Sequence, residues 1–143
     1  MRGISACLLG VACRYDGSAK PSADLAGLMA SGPWVPFCPE QLGGLPTPRA
    51  PARIEGGAGA EVLAGRARVV NAEGLDVTHQ FLRGARETAE LCRRLGIRAV
   101  VLKAHSPSCG LGAISNGSEL VAGDGVTAAL LRTEGLAVHE LGE

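Results

Sequence analysis

Apolar positions in this chain fall in short blocks divided by Gly, Pro and charged residues. Residues 4–9 form an apolar run of strand character, and residues 34–37 form a second. Residues 66–70 give a short third strand, with a turn at Glu73-Gly74. Residues 98–103 carry the buried-strand pattern Ala99-Val100-Val101-Leu102, and residues 136–139 predict a closing strand. Between these blocks the period changes to 3–4. Residues 24–30 predict a helix with Ser22 as N-cap and Gly32-Pro33 as its stop. Residues 76–95 predict the longest helix. Val77, Phe81, Ala85, Thr88, Ala89 and Cys92 share one stripe of it, and Gly96 ends it. Residues 125–133 predict a last helix with Asp124 as N-cap. Helices alternating with strands argue for an α/β class: a layered, Rossmann-like three-layer domain with a mainly parallel sheet.

Residues 43–65 interrupt this alternation with dense Gly and Pro. That is too long for an ordinary connection, and it carries Arg49 and Arg53. The expectation is an ordered loop that helps build a site. A mobile surface insertion is the alternative.

At 143 residues the chain has the size of one domain, spanning 1–143, and 46% apolar content gives it enough material for a core. The 14 basic and 14 acidic side chains balance, which gives no electrostatic case for a nucleic-acid polymer or a membrane surface. Aromatic residues make up 3% of the chain, so base-stacking platforms are lacking. No apolar stretch reaches the roughly 20 residues of a membrane span, and the run at residues 4–9 is too short for a signal peptide. The expected location is the cytoplasm. In that reducing compartment five cysteines point to metal binding or catalysis rather than disulfides.

Three of those cysteines open Gly- or Pro-bearing turns after apolar runs. Cys7 lies in Ser5-Ala6-Cys7-Leu8-Leu9-Gly10, Cys38 in Phe37-Cys38-Pro39-Glu40, and Cys109 in His105-Ser106-Pro107-Ser108-Cys109-Gly110. Carboxyl ends of parallel strands meet at one crevice, so the three are expected close together. Three thiolates there would suit a metal or iron–sulfur site with three protein ligands, a cubane keeping one iron free for substrate. Three unrelated buried cysteines are the plain alternative. Cys13, six residues after Cys7, is either a further ligand or structural, and Cys92 falls on the apolar helix stripe. Glu40 beside Cys38 can move protons or simply complement a helix N-terminus. Ser106 can orient a substrate or cap its turn. Lys103 and His105 flank the same loop. Arg49 and Arg53 can clamp an anionic or carbonyl-rich ligand or stand at the surface. Asp16 and Arg14 are expected to order their own loop. The chain has no CxxC, GxGxxG or GxxxxGK[ST] motif, so dithiol redox chemistry and nucleotide cofactors lack their usual signatures.

SACLLG-x-x-CRYDG, CPEQLGGLPTPR, KAHSPSCG and GDGVTAALL, in that order across residues 4–139, resemble the thiouracil desulfurase family. The resemblance implies a Rossmann-like domain holding a 4Fe–4S cluster on three cysteines. It implies a small-molecule thiolated pyrimidine as substrate, with sulfide and the oxo base as products. Carried over by motif, the metal ligands fall on Cys7, Cys38 and Cys109, the acid/base on Glu40, and an assisting hydroxyl on Ser106. Two other classes stay open: a non-catalytic iron–sulfur or zinc protein handling redox state or sulfur, and an enzyme using Cys38 or Cys109 as a metal-free nucleophile. The oligomeric state is also open.

Overall fold

A computed structural model describes residues 1–141. Its strands are β1 (Arg2–Ser5), β2 (Trp34–Phe37), β3 (Ala52–Glu55), β4 (Arg68–Asn71), β5 (Ala99–Lys103), β6 (Ala113–Ser115), β7 (Leu120–Ala122) and β8 (Ala137–Leu141). Its helices are α1 (Leu25–Ala30), α2 (Pro39–Leu42), α3 (Gly59–Leu63), α4 (Thr78–Leu95) and α5 (Val126–Thr133). Four strands form the central sheet in the order β2-β1-β5-β8, all parallel. The chain moves outward from β1 to β2, then returns to the far side of β1 for β5 and continues to β8. The winding direction therefore reverses between β1 and β5. Loops leaving the two central strands diverge there and open a crevice.

Alternation along the strands fills both faces of this sheet. Val100 and Leu102 pack with Phe37, Cys92, Ile97, Ala128 and Leu131 beneath α4 and α5. Val101 turns to the other face and packs with Ile4, Cys7, Leu8 and Leu28. Gly3 makes room for this packing: a Cβ there would stand 2.6 Å from Phe37 Cε2 and 3.0 Å from Val100 Cγ1. A third cluster of Val62, Val69, Val77, Phe81, Ala85 and Val126 joins α3, β4, α4 and α5.

The structure departs from the sequence expectations in instructive places. The apolar run at residues 4–9 is a strand only to Ser5; Ala6–Leu9 is a 3₁₀ turn closed by Gly10 at φ 95°. Leu8 is buried in that turn, so its hydrophobicity does not reveal the change of conformation. The long Gly/Pro segment is ordered and contains β3 and α3. The strand expected at residues 66–70 is β4, which pairs antiparallel with β3 away from the parallel sheet. Asp24, not Ser22, caps α1, accepting from the Gly27 N–H. Asp124 does not cap α5; it accepts from the Gly112 N–H and pairs with Arg132. The first N–H groups of α5 go elsewhere, and that choice builds the site.

Candidate active site

Val126 N–H donates to the Pro107 carbonyl at 2.9 Å, and Thr127 and Ala128 N–H donate to the Ser108 carbonyl at 2.8 and 3.1 Å. The orphan donors at the start of α5 thus hold the turn after β5 in place. Gly125 permits the close approach, because a Cβ there would stand 2.5 Å from the Ser108 carbonyl carbon. Within the turn, Ser106 Oγ accepts from the Ser108 and Cys109 N–H groups at 3.0 and 2.9 Å. Cys109 therefore points from a rigid, twice-anchored loop.

The other two segments are fixed just as locally. Cys7 follows β1 in the 3₁₀ turn. Cys38 follows β2 and opens α2, with Pro39 at its first position, where a missing N–H costs nothing. The crevice between these segments has a cavity of about 370 Å³, within the range of small-molecule sites. Cys7, Cys13, Cys38 and Cys109 line it together with Glu40, Arg49, Lys103, His105, Ser106 and Ser108. Cys92 lies elsewhere, on the core-facing side of α4 and fully buried. Arg53 is also absent from the lining and pairs with Glu55. Asp16 accepts from the Ser18 N–H and hydroxyl and so orders its own loop.

Cys13, whose role the spacing leaves open, is thus a fourth thiol in the crevice. Its hydrogen bond to Cys7 lowers the Cys7 thiol below its ordinary range, outweighing burial and the nearby Cys109 and Cys38 sulfurs. Cys38 is raised, first by hydrogen bonding to the Cys13 side chain and then by burial. Cys13 gains from Cys38 but loses to Cys7 and to burial, and is raised overall. Burial pushes the Cys109 thiol up to about 12. One thiolate is favoured here and several together are not, because burial penalises each charge and buried like charges also repel. Lys103 lines the crevice, but burial and the neighbouring Arg14 lower it. A cationic metal centre would supply the missing positive charge, since ligand thiols must be deprotonated to bind. Among the described residues no three His, Cys, Asp or Glu side chains are placed to hold one metal ion. A cluster differs from a tetrahedral zinc in this respect, because it takes each cysteine on a separate iron.

Glu40 faces this thiol group from α2. Arg49 Nε donates to Glu40 Oε1 at 3.0 Å, and Ser108 Oγ donates to Oε2 at 3.1 Å. Ser108 itself lies 2.9 Å from Ser106 Oγ. The hydroxyl in direct contact with Glu40 is therefore that of Ser108, with Ser106 one step behind it. The sequence pattern singles out Ser106 in this turn and not Ser108. The available signal for Ser108 was its position between Pro107 and Cys109, in a turn full of candidates.

The model of the 2-thiouracil desulfurase family matches residues 3–141. The chain belongs to this family. Its desulfurase fold is shared with a solved [4Fe-4S]-dependent thiouracil desulfidase, TudS, at a TM-score of 0.83 and 47% identity, over 97% of this chain and 89% of that one. The uncharacterized protein YbbK of Bacillus subtilis (strain 168) is 46% identical over 138 residues, covering 94% of this chain and 91% of the relative. The mixed α/β architecture with a parallel central sheet is that of the desulfidase.

Proposed function

We propose that this member of the desulfurase family removes sulfur from a small thiolated pyrimidine of the 2-thiouracil kind, using a 4Fe–4S cluster. The observation that carries the reading is the convergence of Cys7, Cys38 and Cys109 on one cavity that Glu40 also lines. Those three cysteines would hold the cluster, leaving Cys13 as a thiol that hydrogen-bonds to its neighbours. When bound, the cluster supplies a soft Lewis-acidic iron suited to a thiocarbonyl sulfur.

The rest of the chemistry falls to side chains. Phe37, Pro39, Pro51 and Ala52 give the cavity apolar walls against which a planar base can lie. Glu40 takes a proton from water as it adds to the carbon bearing sulfur, and returns it as the carbon–sulfur bond breaks. Thiobase and water become oxo base and sulfide, with no net electron transfer. Ser106 acts indirectly by holding the turn that presents Ser108 and Cys109. Five free cysteines suit a reducing cytoplasm. Among the described residues no helix is long and apolar enough to cross a membrane.

The test is anaerobic reconstitution with iron and sulfide, quantification of both, and an assay of sulfide release from 2-thiouracil. The expected result is a brown protein whose sulfide release scales with cluster content. Cluster binding without release would return the protein to the non-catalytic class. A colourless protein that releases sulfide would make a cysteine thiolate the nucleophile.

A further inference from the structure

The guanidinium of Arg49 is almost fully enclosed, with 6% of the side chain exposed, and its donors fan out to separate segments. Nε reaches Glu40 Oε1 at 3.0 Å. Nη2 reaches the Cys13 carbonyl at 2.9 Å. Nη1 reaches Thr47 Oγ1 at 3.0 Å and the Pro46 carbonyl at 3.2 Å. Its backbone N–H also donates to the Tyr15 carbonyl at 2.7 Å. On the opposite side of the carboxylate, Ser108 is 2% exposed and donates to Oε2. Each oxygen of Glu40 thus receives one donor, from elements far apart in sequence.

We propose that Arg49 and Ser108 are positioning residues for desulfuration, fixing through one hydrogen bond to each carboxylate oxygen the direction in which Glu40 faces the reacting centre. This rests on Glu40 being the proton carrier. A carboxylate on a free side chain samples several rotamers, and proton transfer needs one of them. Arg49 adds a second restraint: the guanidinium that aims Glu40 also holds the loop of Cys13 and Tyr15 over the same cavity. A lysine would keep the charge but not the planar fork, so it could not serve Glu40, Cys13 and Thr47 together.

The experiment compares wild type, Glu40→Gln, Arg49→Lys, Ser108→Ala, and each of the last two combined with Glu40→Gln. All are reconstituted anaerobically to equal iron content. Saturation kinetics of sulfide release from 2-thiouracil should show kcat lowered about 10–100-fold in Arg49→Lys and less in Ser108→Ala, with KM within about threefold, since small misplacements cost about this much. A group that acts only through Glu40 adds no loss once Glu40 is gone, so the Ser108→Ala double variant should be no slower than Glu40→Gln, and the Arg49→Lys double variant, which also loosens the Cys13 loop, should lose less than the product of the two single losses. Amide hydrogen exchange of residues 13–18, read without turnover, should speed up in Arg49→Lys and not in Ser108→Ala. Ser108→Ala keeps the test open should Arg49→Lys fold poorly. Losses that multiply with Glu40→Gln, or wild-type kcat in both single variants, would overturn the proposal. If Glu40→Gln is slow while both single variants are normal, positioning alone fails. If Glu40→Gln itself is as fast as wild type, the assignment of Glu40 fails and this proposal with it.

Discussion

Gly84 in α4 lies so close to Pro39 in α2 that a Cβ on it would collide with the Pro39 carbonyl oxygen and stand 2.8 Å from the carbonyl carbon. Gly43, at the other end of α2, meets the Gln80 carbonyl of α4 in the same way. The short helix bearing Glu40 and following Cys38 is thus docked backbone against backbone on the longest helix of the fold. Its depth in the crevice is set by two missing methyl groups.

Gly84→Ala should therefore push α2 outward. The expected cost is about 1–3 kcal/mol of stability, as for other overpacked sites. It should also lower iron content after reconstitution, because Cys38 moves with α2. Gly65→Ala is the control. Gly65 has φ 78° with nothing near its missing Cβ, so its substitution costs about 1–2 kcal/mol through backbone strain alone. Thermal denaturation and iron analysis of both variants check this. Normal iron binding by Gly84→Ala would show that α2 tolerates displacement.

Cys7→Ser, Cys38→Ser and Cys109→Ser should each abolish cluster retention, since two remaining ligands are too few. Cys13→Ser should keep its iron, because a hydroxyl can replace its thiol in hydrogen bonds to Cys7 and Cys38. Iron loss in Cys13→Ser equal to the other three would move the ligand set. Cys92→Ala, on the core-facing side of α4, should bind iron normally and lose stability on the scale of a one-group truncation, about 0.5–1.5 kcal/mol.

Glu40→Gln should retain the cluster and slow desulfuration by about 10²–10⁴-fold. The amide keeps an oxygen for Arg49 and a nitrogen that meets Ser108 Oγ, so the shape of the site survives. The variant should also melt at a lower temperature than wild type, because it leaves the enclosed Arg49 cation without its counter-charge. Initial rates at matched iron content and a melting curve test the two effects separately.

Asp76 accepts from the Thr78 N–H just before α4, and hydrogen bonding to Thr78 holds its carboxyl below the ordinary aspartate range. A carboxyl lowered on folding stabilises the folded state above its unfolded value and loses that contribution as pH falls through the folded value. Melting temperature should therefore depend more steeply on pH below about 4 in wild type than in Asp76→Asn. Parallel curves for the two proteins would remove Asp76 from the acid sensitivity.

The sequence by itself determined what is local. The 3–4 stripe from Val77 to Cys92 placed α4, because one face of a helix must be apolar to pack. The block at residues 99–102 placed β5 for the corresponding reason. Turns after strands marked Cys7, Cys38 and Cys109 as neighbours, because the ends of parallel strands converge. Tertiary structure decided the rest. Leu8 is as apolar in a buried 3₁₀ turn as in a strand, so burial hid the end of β1. The residues of β4 suit any strand, and only pairing with β3 took them out of the central sheet. Cys13 joined the thiol group through the fold of its loop, which the Cys7–Cys13 spacing does not encode. Ser108 instead of Ser106 met Glu40 because α5 fixes the carbonyls of their turn. Arg49 found Glu40 nine residues away because its loop returns over α2. Hydrogen-bond partners are chosen by orientation within about 3 Å, and no pattern of residue types along a chain specifies orientation.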